Sequence, residues 1–210
     1  MQPIWLSSYP RSGNTFVRTI LYQCFNLKSG SAYKNDLGGN LILENYVGHI
    51  EQNKDRSITF PEGVLPIIKT HGPAKNNFST IYVIRDGRAA AVSLWEYYNQ
   101  KTSLLDVIEG NHKFGIWSRH IESWDPLSRP NTLLIKYEDI ILNLDLVLIQ
   151  ISDFLDREII NNKLPSRDSI ANNDGKWVRK KTNWKLKLVG TNLDRFNEIN
   201  QQSLEKFGYL

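Results

Sequence analysis

The 210-residue chain holds one cysteine, one methionine and four histidines, and no apolar run approaches the roughly 20 residues that a bilayer span requires. Each scarcity closes a class of function. A lone thiol, Cys24, excludes an intrachain disulfide scaffold, and without a second cysteine or a closely spaced histidine cluster structural zinc is excluded too. Cys24 shares a helical spacing with Val17, Ile20 and Leu21 and reads as a small buried thiol. The first residues lack a basic segment followed by an apolar core, so the expectation is a cytoplasmic protein with no membrane span.

Charge of one sign is scarce everywhere but in one stretch. The total is +4, yet Lys176 to Lys187 holds six basic residues and no acidic one, which leaves the remainder at −2. A local basic segment suggests one anionic site and not a nucleic-acid coat. Trp177 and Trp184 interleave with the cations there as on a base-stacking surface, but that reading leaves the sharper motifs unexplained. With 40% apolar and 23% charged residues the chain is an ordinary globular protein and not a disordered one, and its length fits a single domain over 1–210.

Ile4–Ser8 is a short β-prone run that opens through a Pro-Gly turn into the helical pattern containing Cys24. Asn26–Asp36 reads as loop and Leu41–Ile50 as a helix. Val64–Lys69 and Thr80–Ile84 are compact β-branched strands. Two helices follow, one from Arg88 through Tyr98 and one from Phe114 to Trp124; Thr132–Lys136 is a fourth strand, and helices are expected over Leu144–Leu155 and Arg195–Phe207. Strands alternating with helices predict an α/β fold, a mainly parallel central sheet flanked by helices as in P-loop nucleotide kinases. The polar stretch Asn161–Gly175 is the candidate connection.

Three segments carry chemistry. Ser8-Tyr-Pro-Arg-Ser-Gly-Asn-Thr15 lies between strand and helix, where loop amides and the helix N-terminus converge on one anion. It has the length of the triphosphatase loop G-x-x-x-x-G-K-[ST], but Ser8 replaces the first glycine, Asn14 replaces the lysine, and the cation is Arg11. Lys69-Thr-His71 ends a strand, so a cation and an imidazole able to act as general base face the same crevice. Arg85-Asp-Gly-Arg-Ala-Ala-Ala-Val-Ser93 runs from a strand into a helix. Arg85 and Ser93 have the donors to grip one phosphate, although an arginine beside Asp86 is more often in a salt bridge. His49, His112 and His120 read as structural or surface residues, and Trp95, Tyr97 and Tyr98 as core or as walls of an acceptor pocket.

In this order, Tyr9-Pro-Arg-Ser-Gly-Asn-Thr-Phe16, Lys69-Thr-His71 and Tyr82-Val-Ile-Arg-Asp-Gly-Arg-Ala-Ala-Ala-Val-Ser93 resemble the cytosolic-type sulfotransferases that use 3′-phosphoadenosine 5′-phosphosulfate (PAPS). The resemblance continues through Lys136-Tyr-Glu-Asp139, Arg179-Lys-Lys and the closing Asp194-to-Tyr209 segment. It implies that Arg11, Ser12, Gly13, Asn14, Thr15 and Phe16 hold the 5′-phosphosulfate, with Phe16 where the family usually has tryptophan. It further implies that Arg85, Ser93, Arg179 and Lys180 hold the 3′-phosphate, that Tyr137 lies near the adenine, and that His71 is the base with Arg11 and Lys69 as cationic partners. The sequence departs from the family in having Arg11 for the usual lysine, in a tail pattern shortened by two residues and without its glycines, and in its shorter length.

Sulfuryl transfer needs an in-line arrangement and charge stabilisation, which cations can supply without a metal. The implied partner is a small-molecule, lipid or carbohydrate hydroxyl, with no nucleic acid; acceptor identity and oligomeric state stay open. A P-loop nucleotide kinase and a catalytically silent nucleotide-binding module are the alternatives.

Overall fold

The computed structural model describes residues 2–166, 168, 169, 172 and 183–210. Five strands, β1 (Ile4–Ser8), β2 (Ser29–Ser31), β3 (Ile67–Thr70), β4 (Thr80–Ile84) and β5 (Thr132–Lys136), form one sheet in the order β2-β3-β1-β4-β5. Every pairing is parallel. Parallel strands need crossovers, which here are mostly helical and cover both faces. Among the described residues the α-helices include α1 (Asn14–Phe25), α2 (Leu41–Val47), α3 (Gly87–Tyr97), α4 (Leu104–Ile108), α5 (Trp117–Trp124), α6 (Tyr137–Leu142), α7 (Leu144–Leu155) and α8 (Thr191–Lys206). The α/β architecture expected from the sequence is thus present.

The period-two alternation of β4 divides the core. Ile81 and Val83 face a cluster with Val17, Ile20 and Leu21 of α1 and Val147, Leu148 and Ile151 of α7. Tyr82 and Ile84 face the other cluster, with Ala90 and Ala91 of α3, Trp117 and Trp124 of α5, and Phe196 and Leu204 of α8. The small residues of α3 permit close packing: a Cβ on Gly87 would come within 2.5 Å of the Trp117 ring. Cys24 is fully buried in the first cluster.

Three expectations are corrected. Ser29-Gly-Ser31, read as loop, is the edge strand β2; its composition has little β-propensity and pairing with β3 decides the conformation. The strand expected from Val64 starts at Ile67, after Pro66, which has no N–H for a ladder. Three helices and not two separate β4 from β5, because a Ser103–Asp106 capping box nucleates the short α4. The connection expected at Asn161–Gly175 lies in part outside the described residues. Among the described residues no helix is long and apolar enough to cross a membrane.

Candidate functional site

The topology brings the three motifs together, because each leaves the carboxyl end of a strand in one parallel sheet. The Tyr9–Gly13 loop follows β1, His71 follows β3, Arg85 follows β4 and Tyr137 follows β5. Strand order places these four ends side by side, with β1 between β3 and β4.

The first loop turns sharply into α1. Arg11 has φ 67° and Gly13 φ 103°, and no side chain caps the helix at Gly13. The first amides of α1, at Asn14, Thr15 and Phe16, therefore lack intrahelical acceptors and point out of the N-terminus. Ser12 Oγ is buried with no hydrogen-bond partner among the described residues, a further donor held in the same loop. Gly13 is required twice: its φ is left-handed, and a Cβ there would lie 2.5 Å from the Tyr137 ring. Gly13→Ala should cost about 1–3 kcal/mol of stability, read from denaturant midpoints, and should displace Tyr137.

Arg11 Nε donates to Ser93 Oγ at 3.2 Å, and the Arg11 guanidinium lies 5.3 Å over the Tyr97 ring. Arg85 donates to the Arg11 carbonyl at 2.9 Å while its guanidinium stacks 4.6 Å over Tyr137. The first loop, Arg85, Ser93 and Tyr137 are thus one constellation. Asp86 is not the partner of Arg85; it caps α3 and pairs with Arg88 at 2.9 Å. Phe16 is partly buried against the first core cluster. Asn14 turns inward, donating to the Leu6 carbonyl and to Ser8 Oγ, and so does not stand in for a phosphate-reaching lysine.

His71 Nδ1 lies 2.8 Å from the Ser8 carbonyl, which can only accept, so Nδ1 carries the proton and Nε2 the lone pair. Burial, then the neighbouring Lys69 cation, pushes the imidazole well below its ordinary 6.5, and the ring is neutral at neutral pH. The His71 backbone N–H donates to Tyr33 Oη at 2.9 Å, and the Tyr33 and His71 rings stack at 6.0 Å.

Lys69 is inside β3 and nearly buried, held by Asp36 at 2.7 Å. The other Asp36 oxygen takes Arg18 of α1 at 2.8 Å, and that arginine is 0% exposed. Burial alone pushes the Asp36 carboxyl up, but Lys69 and Arg18 outweigh it and hold it below its ordinary range. This buried trio keeps one net positive charge beside His71. Asp36 was not singled out in the sequence. The signal was Lys69 itself, a cation in an otherwise apolar buried strand, which demands a carboxylate.

Each of the remaining histidines has a side-chain hydrogen-bond partner within the fold. His49 Nδ1 lies 2.8 Å from Arg18, His120 Nδ1 2.9 Å from Tyr82 Oη, and His112 Nε2 3.2 Å from Tyr9 Oη. Trp95, Tyr97 and Tyr98 are partly buried against the second core cluster. Arg179 and Lys180 lie outside the described residues. Among the described residues no group of three or more His, Cys, Asp or Glu side chains is placed to hold a metal ion.

Known proteins carry the same framework. The chain is 27% identical over 196 residues to mouse Sulfotransferase 1 family member D1, covering 80% of this chain and 64% of that protein. It is 25% identical over 178 residues to human Sulfotransferase 1E1, covering 73% and 58%. The chain thus spans about three-fifths of the length of these curated relatives. Its fold matches mouse sulfotransferase SULT7A1 complexed with PAP at TM-score 0.68 and 19% identity, covering 97% of this chain and 84% of that one. It matches retinol dehydratase in a complex with retinol and PAP at TM-score 0.69 and 17% identity, covering 97% and 82%. The sulfotransferase domain model matches residues 1–208, a span that holds the first loop, His71, Arg85, Ser93 and Tyr137, and the chain belongs to that family.

Proposed function

We propose that the chain is a sulfotransferase, moving a sulfuryl group from PAPS to a hydroxyl of a small-molecule, lipid or carbohydrate acceptor. The observation that carries this reading is the convergence of an uncapped helix N-terminus, the Arg11–Ser93 contact and a neutral His71 at one end of the sheet. The donor nucleotide fits those residues. Unpaired amides and the orphaned Ser12 hydroxyl suit a 5′-phosphosulfate, Arg85 and Ser93 suit a 3′-phosphate, and Tyr137 offers a ring face to adenine. Arg179 and Lys180 are proposed as further 3′-phosphate contacts.

In this account His71 Nε2 takes the proton from the acceptor hydroxyl as its oxygen attacks sulfur. Arg11 and the net positive charge around Lys69 stabilise the oxygens of the moving group and of the departing phosphate. A sulfuryl group carries less negative charge than a terminal phosphoryl group, so these cations serve in place of a divalent ion. We propose no metal, a single sulfotransferase domain and a cytoplasmic setting.

Incubation with sulfur-labelled donor and a panel of phenols, alcohols, sugars and lipids should yield labelled ester without magnesium. The kinase alternative predicts magnesium-dependent consumption of ATP, and the inward turn of Asn14 speaks against it. Tight nucleotide binding with no label transferred to any acceptor would favour the silent module. The depressed His71 pKa gives a further prediction: kcat/KM should hold as pH falls past 6.5 and decline only below it, as the imidazole takes up a proton. An acid limb centred above 6.5 would contradict His71 as the base.

A further inference from the structure

The surroundings of His71 form a wall of rings that the donor site does not use. The Phe114 ring meets His71 edge-on at 5.9 Å, and Tyr33 stacks on it from the end of β2. From Phe114 the contacts continue to His112 at 6.3 Å, to Tyr98 at 6.2 Å and to Tyr97 at 5.9 Å, where Arg11 of the donor loop lies over the ring. These rings run without a break from the imidazole to the donor loop, and His71, Tyr33, Phe114, Tyr97 and Tyr98 are all partly exposed. Such a wall favours a flat apolar ligand, because ring faces stack or meet edge-on with little loss of rotamer freedom.

One cation is set into this wall. Lys113 Nζ lies 5.0 Å from the centre of the Tyr33 ring and 5.5 Å from that of Phe114, the two rings that flank His71. The side chain is exposed, and among the described residues no carboxylate pairs with it. The two segments that carry the flanking rings, Ser29–Asn35 and Gly110–Ile116, contain Lys34 and Lys113 and no acidic residue. The carboxylates that border these segments in sequence are both committed, Asp36 to Lys69 and Arg18 and Glu109 to Arg195. The mouth beside the imidazole is therefore positive, and the long flexible stem of Lys113 lets its ammonium group swing from the ring faces toward an anion.

We propose that the acceptor is a flat, ring-bearing hydroxyl compound that also carries a carboxylate or comparable anionic group, and that Lys113 selects for that charge. The inference rests on reading the site as a sulfuryl-transfer centre whose acceptor side is the ring wall around His71. It adds the electrical character of the acceptor, which the family fold leaves unspecified.

The test is calorimetric titration in the presence of PAP, so that binding is read without turnover, using 3-(4-hydroxyphenyl)propanoate and its methyl ester. The carboxylate should bind about fivefold more tightly than the ester at low ionic strength, and the ratio should shrink as salt is added. In Lys113→Glu the ratio should fall below one, and in Lys113→Met, which keeps the apolar stem, it should approach one. Equal or weaker binding of the carboxylate by the unaltered protein, no binding of either compound, or a ratio unchanged in both variants would overturn the proposal. Label transfer measured in parallel tests the sulfotransferase reading separately. A Lys113-dependent carboxylate preference with no transfer to either compound would keep the anionic subsite and remove the proposed reaction.

Discussion

Replacing His71 by alanine should lower kcat for a good acceptor by about 10²- to 10⁴-fold, the range in which a positioned general base contributes. The loss should fall on the chemical step. His71 touches the Ser8 backbone and the Tyr33 ring, whereas Arg85, Ser93 and Tyr137 assemble on the other side of the first loop. Affinity for PAP should consequently change by less than about threefold, a difference below 1 kcal/mol. His71→Asn should not rescue turnover, since an amide nitrogen has no basic lone pair. If either variant kept full turnover while binding PAP normally, proton removal would have to be assigned elsewhere.

The largest stability effect is expected at Asp36. Its carboxylate is the shared anion between Lys69 and Arg18, all three nearly buried, with oxygen-to-nitrogen distances of 2.7 and 2.8 Å. Asp36→Asn leaves two cations in a low-dielectric pocket without their anion, which typically costs about 3–5 kcal/mol in comparable buried pairs. Urea unfolding at neutral pH should show this as a lower midpoint with a similar slope. The pH dependence has a definite sign. The folded-state pKa of Asp36 is depressed below 3.8, so its contribution is full above that value and fades as pH falls through the depressed one. The gap between unaltered protein and variant should therefore narrow in acid. A midpoint change worth less than about 1 kcal/mol would mean that the trio is solvated far more than its burial indicates.

What the sequence made legible was the chemistry that is local. The anion loop could be read because a strand, a Pro-Gly turn and a helix start are contiguous, and Lys69-Thr-His71 because a strand end exposes its successor. Strands as apolar as Thr80–Ile84 announce themselves, since a parallel strand covered on both faces must be apolar throughout. The partnerships were not legible. Asp36 comes to Lys69 from 33 positions away along the chain, through a turn in which Asn35, Leu37, Gly38 and Gly39 all have positive φ. No spacing rule describes such a turn. Ser29-Gly-Ser31 is a strand only because β3 lies beside it. At Arg85-Asp86 the adjacency suggested an ion pair, but the helix start gives Asp86 to Arg88 and turns Arg85 back onto the first loop. The ring wall likewise joins residues that follow β2 and β3, residues at the end of α3 and residues of the α4–α5 connection, whose proximity follows from topology and not from pattern.

The proposed donor site has the first loop, the Arg85–Ser93 segment and Tyr137 enclosing one adenosine that bears phosphates at both its 3′ and 5′ positions. Calorimetric titration with PAP and with adenosine 5′-monophosphate, which lacks only the 3′-phosphate, tests it most directly. PAP should bind at least about tenfold more tightly, as two charge-assisted hydrogen bonds to a phosphate would produce, and Arg85→Ala should remove most of that ratio. Equal affinity for the two nucleotides, or a ratio untouched by Arg85→Ala, would contradict it.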